Sequence, residues 1–150
     1  MNEGRLAAIA RRDRKRAPME TLDSARITDE AGVVGDFRGR PGKRQVTVLA
    51  SEDWQAACSE IGRTLPWTAR RANLLIEGVG LPRHAGSRLI IGDVVLEVTG
   101  ELDPCSRMDE ASEGLREALV PDWRGGVTCR VLTGGDVGVG DVVRVEHAGG

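Results

Sequence analysis

The sequence predicts a mainly β domain: a closed or nearly closed β-barrel carrying two or three short helices. Three observations lead there. Glycine supplies 20 of the 150 residues without any low-complexity repeat, and glycine at that density marks many tight turns. Apolar residues recur in short runs of strand length, bounded by Gly, Pro and Asp. Helical spacing appears only in two brief stretches. A chain of short strands avoids exposed edges most simply by closing on itself, with the helices at the rim.

At this length the chain is read as one domain, residues 1–150, with neither an internal repeat nor a dividing linker. Such a chain buries roughly two-thirds of its unfolded surface in one core. Hydrophobic residues at 40% and charged residues at 29% are ordinary for a globular protein. No apolar run approaches the roughly 18 residues that span a bilayer, so no membrane role is expected. The first residues lack the apolar stretch of a secretory signal. Arg5, Arg11, Arg12, Arg14, Lys15 and Arg16 have the flavour of a transit peptide, but Glu3, Asp13 and the strand-like Leu6–Ile9 argue against it.

The net charge of −2 is unevenly spread. Residues 1–89 hold 16 Lys/Arg against 11 Asp/Glu, and residues 90–150 hold 5 against 12. A positive half can face a phosphate-bearing ligand or simply be solvated. Nucleic acid is not expected as a partner, since aromatic stacking platforms are few. Cys58, Cys105 and Cys129 are odd in number and fit no zinc spacing. With no secretory signal, they read as free thiols of a reducing compartment, which makes the cytoplasm the expected location.

Taken in order, residues 5–10 form a first strand, followed by a charged connector to about residue 24. Residues 25–34 make a strand and turn, 37–43 a loop, and 44–49 a half-buried alternating strand. Ser51 is the expected N-cap of a helix, with Glu52 and Asp53 in its first turn. Trp54, Ala57, Cys58 and Ile61 share one face, and Gly62 stops it. Cys58 is therefore a core residue. Residues 73–77 are a strand. Residues 88–91 and 94–99 form a hairpin across Gly92-Asp93, a pair suited to a two-residue turn with Gly first. Asp103 and Pro104 have N-cap and N1 character for a helical stretch that continues through 111–120. Val127, Cys129 and Val131 line one side of a strand. A Gly134-Gly135 turn then leads to a closing segment at 141–146.

Cys105 differs from the other two cysteines. It follows a strand and precedes a predicted helix start, where unpaired amides favour the thiolate. A thiolate is both a nucleophile and a soft metal ligand. Arg70-Arg71, just ahead of a strand, can fork onto phosphate or carboxylate oxygens or be a solvated strand entry. Asp36 reads as turn chemistry. Arg124-Gly125-Gly126 is either a plain loop or an arginine on backbone that admits close ligand approach. No Walker A or dinucleotide glycine pattern occurs. His84 and His147 have no partner pattern, so no Ser-His-Asp triad can be built. Lys15 and Lys43, the two lysines, lie in charged loops unsuited to a Schiff base, so pyridoxal phosphate is not expected here.

These residues assemble into a pattern that resembles the MOSC domain, the module named for the C-terminal part of molybdenum cofactor sulfurases. The resemblance runs from about Gly4 to Glu146. It is carried by Gly-Val-Val-Gly-Asp at 32–36, Arg-Gln-Val-Thr-Val-Leu at 44–49 and Arg-Arg-Ala-Asn-Leu-Leu-Ile-Glu-Gly-Val at 70–79. Ile-Gly-Asp-Val-Val-Leu-Glu-Val-Thr-Gly at 91–100 leads into Pro-Cys-Ser-Arg-Met at 104–108. Arg-Gly-Gly-Val at 124–127 and Gly-Gly-Asp-Val-Gly-Val-Gly-Asp at 134–141 complete it.

The resemblance implies a barrel of the pyruvate-kinase type and a cysteine tied to sulfur or molybdenum chemistry. Cys105 is the matching cysteine, the thiolate ligand to molybdenum in relatives that bind the molybdenum–pterin cofactor. Arg71, Asn73, Arg107 and Arg124 fall in matching segments and are implied cofactor contacts; Arg70 joins them as a phosphate-clamp candidate from its local setting. Members of the family act as sulfur carriers or bind the molybdenum–pterin cofactor, with reduction of N-hydroxylated small molecules in some. Relatives often carry His after the Gly-Asp turn, where this chain has Phe37-Arg38. The fused sulfurases use pyridoxal phosphate in an aminotransferase-like domain that these 150 residues do not hold. A cysteine desulfurase or an electron-transfer protein is the expected partner. The remaining alternatives are a non-enzymatic sulfur or cofactor carrier and a non-catalytic binding module, and the oligomeric state is left open.

Overall fold

The computed structural model describes residues 2–148. Strands β1 (Glu3–Arg11), β2 (Glu20–Leu22), β3 (Ser24–Thr28), β4 (Gly32–Val33) and β5 (Val46–Ala50) lead into helix α1 (Ser51–Glu60). Then come β6 (Leu74–Glu77), β7 (Arg88–Ile91), β8 (Val94–Glu101), α2 (Ser106–Ala111) and α3 (Leu115–Ala118). The chain ends with β9 (Val127–Thr133), β10 (Gly135–Gly138) and β11 (Val142–Glu146). Short 3-10 turns lie at Trp67–Arg70 and Pro121–Trp123.

Seven strands close a barrel in the order β11-β7-β8-β9-β5-β6-β1, sealed by β1 pairing with β11. Closure leaves no free edge within the ring, the solution expected for short strands. β2 extends β1, while β3, β4 and β10 form a separate small sheet. Within the ring only β5 and β6 run parallel. Parallel neighbours need a crossover connection, and α1 provides it. No helix among the described residues is long and apolar enough to cross a membrane.

The barrel interior is filled by alternating side chains such as Val94, Leu96 and Val98 of β8 and Leu89 and Ile91 of β7. A second apolar cluster lies outside the barrel, where Leu49 and Leu75 meet Trp54, Ala57, Cys58, Met108, Leu115 and Leu119 from the three helices. β5 is therefore covered on both faces. All five of its residues are buried, in place of the half-buried alternation expected from sequence. Cys58 and Cys129 are both core residues, and complete burial pushes the Cys129 thiol upward. Replacing Cys58 with Ala is expected to lower stability by about 1 kcal/mol through lost packing. Chemical denaturation reads the loss, and a variant as stable as wild type would remove Cys58 from the packed core.

The hairpin forms as expected, with Ile91 opposite Val94 and Gly92 at φ 59. Other expectations shift. α1 is capped by Ala50, not Ser51, because β5 stays extended to Ala50 (φ −90, ψ 131) and turns directly into the helix. The stretch after Pro104 is two helices, broken by Gly114 at φ 87. The first of them starts at Ser106, so Cys105 itself occupies the N-cap position on extended backbone, φ −114 and ψ 176. The connector before residue 24 contains β2, and Gly135 opens β10, which pairs with β3.

Candidate functional site

A cavity of about 240 Å³ lies where the segments adjoining β1, β5, β6 and β8 meet α2. Thr47 lines it, while Val46 and Val48 on either side face the barrel core. The site is therefore outside the barrel, beside the helical cluster. Cys105 stands in its wall and is the one exposed cysteine of the three.

The electrostatics of the cavity are lopsided. Arg12, Lys15, Arg38, Arg44, Arg70, Arg71 and Arg107 line it, against the two carboxylates of Asp36 and Asp103. None of these cations forms an ion pair among the described residues, whereas Arg11, Arg14, Arg26, Arg83, Arg124 and Arg130 all do. Asp36 spends its carboxylate on backbone, accepting from the Arg12 amide at 3.0 Å and the Arg38 amide at 3.2 Å. Burial, followed by repulsion from Arg71 and Arg38, holds Arg12 below the usual arginine range. Arg44 is lowered by burial and then by Arg38. An anion in the cavity would relieve this mutual repulsion.

Two guanidinium nitrogens sharpen the point. Arg12 Nη1 and Arg71 Nε are sealed from solvent without a hydrogen-bond partner. Buried donors left unpaired cost about 1–3 kcal/mol each, so an acceptor at those positions is worth having. Arg71 is held in the left-handed region, φ 66 and ψ 30. For a residue with a Cβ that costs roughly 1–2 kcal/mol. Its Nη2 donates to the Ala17 carbonyl, which ties the β1–β2 loop to the cavity wall.

Arg70 is in the cavity wall but has other work. Its Nε donates to the Gly125 carbonyl at 2.9 Å, its Nη2 to the Leu102 carbonyl at 2.7 Å and its Nη1 to Met108 Sδ at 3.8 Å. Burial pushes it down to about 10, still cationic at neutral pH. Arg70 therefore clamps the strand exit that carries Cys105. Asn73 is likewise engaged. Its Oδ1 accepts from the Thr47 amide at 3.1 Å and the Thr47 hydroxyl at 3.2 Å, and its Nδ2 donates to the Ala10 carbonyl at 3.2 Å. It joins β1, β5 and β6 beneath the cavity.

Of the residues singled out from sequence, Cys105, Arg70, Arg71, Asn73 and Arg107 meet at this cavity. Arg124 does not line it. Its Nη1 donates to Glu60 Oε1 at 2.7 Å and to the Ala118 carbonyl at 3.1 Å. The glycines beside it are explained by protein contacts. A Cβ on Gly126 (φ 103) would lie 2.3 Å from the Val48 carbonyl oxygen, and one on Gly125 would lie 2.8 Å from the Leu102 carbonyl oxygen. Gly126→Ala is expected to cost about 2–4 kcal/mol from backbone strain and overpacking combined. Chemical denaturation measures it, and a variant as stable as wild type would refute the close-approach reading. Sequence reasoning left Arg12, Lys15, Arg38 and Arg44 unassigned to the site. Their one signal was the positive charge of residues 1–89.

The fold and site together define a closed β-barrel with an exposed cysteine in the wall of a cationic outer cavity. The MOSC domain family model matches residues 25–144, and the chain belongs to that family. Solved structures share the fold. The YuaD protein from Bacillus subtilis superposes with a TM-score of 0.80 at 20% identity, over 98% of this chain and 97% of that one. YiiM from Geobacillus stearothermophilus gives 0.75 at 16% identity, over 95% of this chain and 74% of that one. YiiM from Escherichia coli gives 0.69 at 15% identity, over 94% and 69%. No curated protein matches the chain.

Proposed function

We propose that the protein binds a molybdenum–pterin cofactor in this cavity, with the Cys105 thiolate as protein ligand to the metal. On this reading it reduces N-hydroxylated small molecules with electrons from a separate protein. The observation that carries it is the exposed thiol in the wall of a cavity whose seven cations are all without ion pairs among the described residues.

The residues present fit the group. A thiolate suits a soft metal centre. Arg12 Nη1 and Arg71 Nε await acceptors such as phosphate oxygens. Among the described residues no cluster of three His, Cys, Asp or Glu could hold a metal alone, so the remaining ligands would come from the cofactor. The volume lies just under the roughly 300–1,000 Å³ typical of small-molecule pockets, enough for the anionic end of a larger ligand. When bound, the group supplies two-electron redox chemistry at an N–O bond. The chain's own part is to bind and orient. Cys105 holds the metal, Arg12 and Arg71 hold the anion, and Arg107 adds charge from α2. Arg70 and Asn73 keep these elements in register.

The exposure of Cys105 also favours a second reading, a sulfur carrier that holds a persulfide supplied by a cysteine desulfurase and passes it on. Elemental mass spectrometry on protein made in a host that builds the cofactor separates the two. Near-stoichiometric molybdenum is the expected result. A metal-free protein with one extra sulfur on Cys105 by intact mass would transfer the assignment to the carrier. Neither metal nor extra sulfur would leave only a binding module.

A further inference from the structure

We propose that residues 12–18 and 37–44 form a preformed docking surface for a carboxylate-rich face of a protein partner, centred on Phe37 at the cavity mouth. The inference rests on the functional reading above, under which electrons or sulfur come from a separate protein. It says where that protein lands and what its surface is made of.

Four observations converge. The two loops expose Lys15, Arg16, Arg38, Arg40, Lys43 and Arg44, and none of the six has an ion-pair partner among the described residues. Neighbouring surface arginines are neutralised, as in Arg11 with Glu20 and Arg26 with Asp136. Unpaired exposed arginines also occur elsewhere, as at Arg63, Arg88 and Arg144; what distinguishes these two loops is that six such cations are clustered in them. The loops are also fixed in place before any partner arrives. The Asp36 carboxylate binds the amides of Arg12 and Arg38, and the Phe37 amide donates to the Arg12 carbonyl at 2.7 Å. Arg71 holds the Ala17 carbonyl and Thr99 holds the Lys43 carbonyl. A loop backbone already fixed loses little entropy on binding.

The surface has the composition of an interface centre. Phe37, the only phenylalanine in the chain, is 38% exposed, and Val34, three residues earlier, is 39% exposed. Its ring lies 6.0 Å from the Arg12 guanidinium and 5.8 Å from that of Arg38. An exposed aromatic flanked by arginines is what protein interfaces concentrate. Finally, the two loops hold eight Lys/Arg against the single carboxylate of Asp13, so the local field favours an anionic partner. Nucleic acid is the weaker occupant, because one aromatic platform cannot track a strand.

The test uses labelled poly-L-glutamate and, in parallel, single-stranded oligothymidylate, each titrated with the full chain at rising salt. Arg16, Arg40 and Lys43 are exposed and outside the cavity lining, so the triple variant Arg16→Glu/Arg40→Glu/Lys43→Glu reports on docking alone. Arg63→Glu/Arg88→Glu/Arg144→Glu makes the same charge change on other exposed, unpaired arginines. Wild type should bind poly-L-glutamate at low salt, the first variant at least about tenfold more weakly, and the control nearly as wild type. Equal weakening in both variants, or no binding by wild type, overturns the proposal. Oligothymidylate binding that outlasts poly-L-glutamate binding as salt rises assigns the face to nucleic acid instead. Molybdenum content and persulfide mass should be unchanged in the first variant. A wild type that holds neither metal nor sulfur defeats the functional reading whatever the titrations give.

Discussion

Cys105→Ala is expected to yield a folded protein that holds neither molybdenum nor persulfide. The reasons are local. The Cys105 side chain is exposed and makes no capping hydrogen bond at the start of α2. It belongs to neither apolar cluster. Removing its sulfur therefore takes away no packing, and surface changes of that kind stay within about 0.5 kcal/mol. The melting transition should coincide with that of wild type. Loading should fall to background, because the other two thiols are inside the protein and the guanidiniums around the cavity cannot replace a thiolate ligand. Elemental analysis and intact mass of the same two preparations read the result. Full loading of the variant would remove Cys105 from the chemistry and end both functional readings. A variant that fails to fold would show a structural role that its surroundings do not suggest.

Much of the fold was legible because its signals are local. Period-two alternation marks β7 and β8, the Gly92-Asp93 turn joins them, and Trp54, Ala57 and Cys58 mark the buried face of α1. β2 and β10 were hidden for the opposite reason. Glu-Thr-Leu and Gly-Asp-Val-Gly have little strand character alone, and each is held by a partner supplied by the fold, β1 and β3 respectively. The candidate site divides the same way. Cys105 stands out by its position after β8 and by family resemblance. Arg12, Arg38 and Arg44 reach the cavity only because the barrel brings the ends of distant segments together. No pattern within a window of sequence signals that meeting. The same limit hides the duties of Arg124, Gly125 and Gly126, whose contacts are with Glu60, Leu102 and Val48.

Arg70 is where site and scaffold meet, and Arg70→Ala is expected to be the most destabilising of the arginine changes. Arg70 is 5% exposed, and its guanidinium serves two backbone carbonyls, Leu102 and Gly125, from elements far apart in sequence. Truncation leaves both acceptors without a donor at about 1–3 kcal/mol apiece. Water entering from the adjoining cavity recovers part of that, so the expected loss is about 3 kcal/mol. The burial that pushes Arg70 down to about 10 shows that the charge is itself costly to hold. The clamp is kept for geometry, since the planar fork presents two separate nitrogens, Nε and Nη2, to the two carbonyls at a fixed spacing that the single nitrogen of an ammonium cannot reproduce. Arg70→Lys should therefore recover only part of the stability. Leu102 is three residues before Cys105, so loosening the clamp also releases the thiol's mounting. Loading should fall together with stability in both variants and should not be restored by added metal or cofactor. Urea unfolding and elemental analysis test the pair of effects. Normal stability with lost loading would instead make Arg70 a direct ligand contact. Lost stability with full loading would make the clamp a purely structural tie, and the position of Cys105 would then depend on α2 alone.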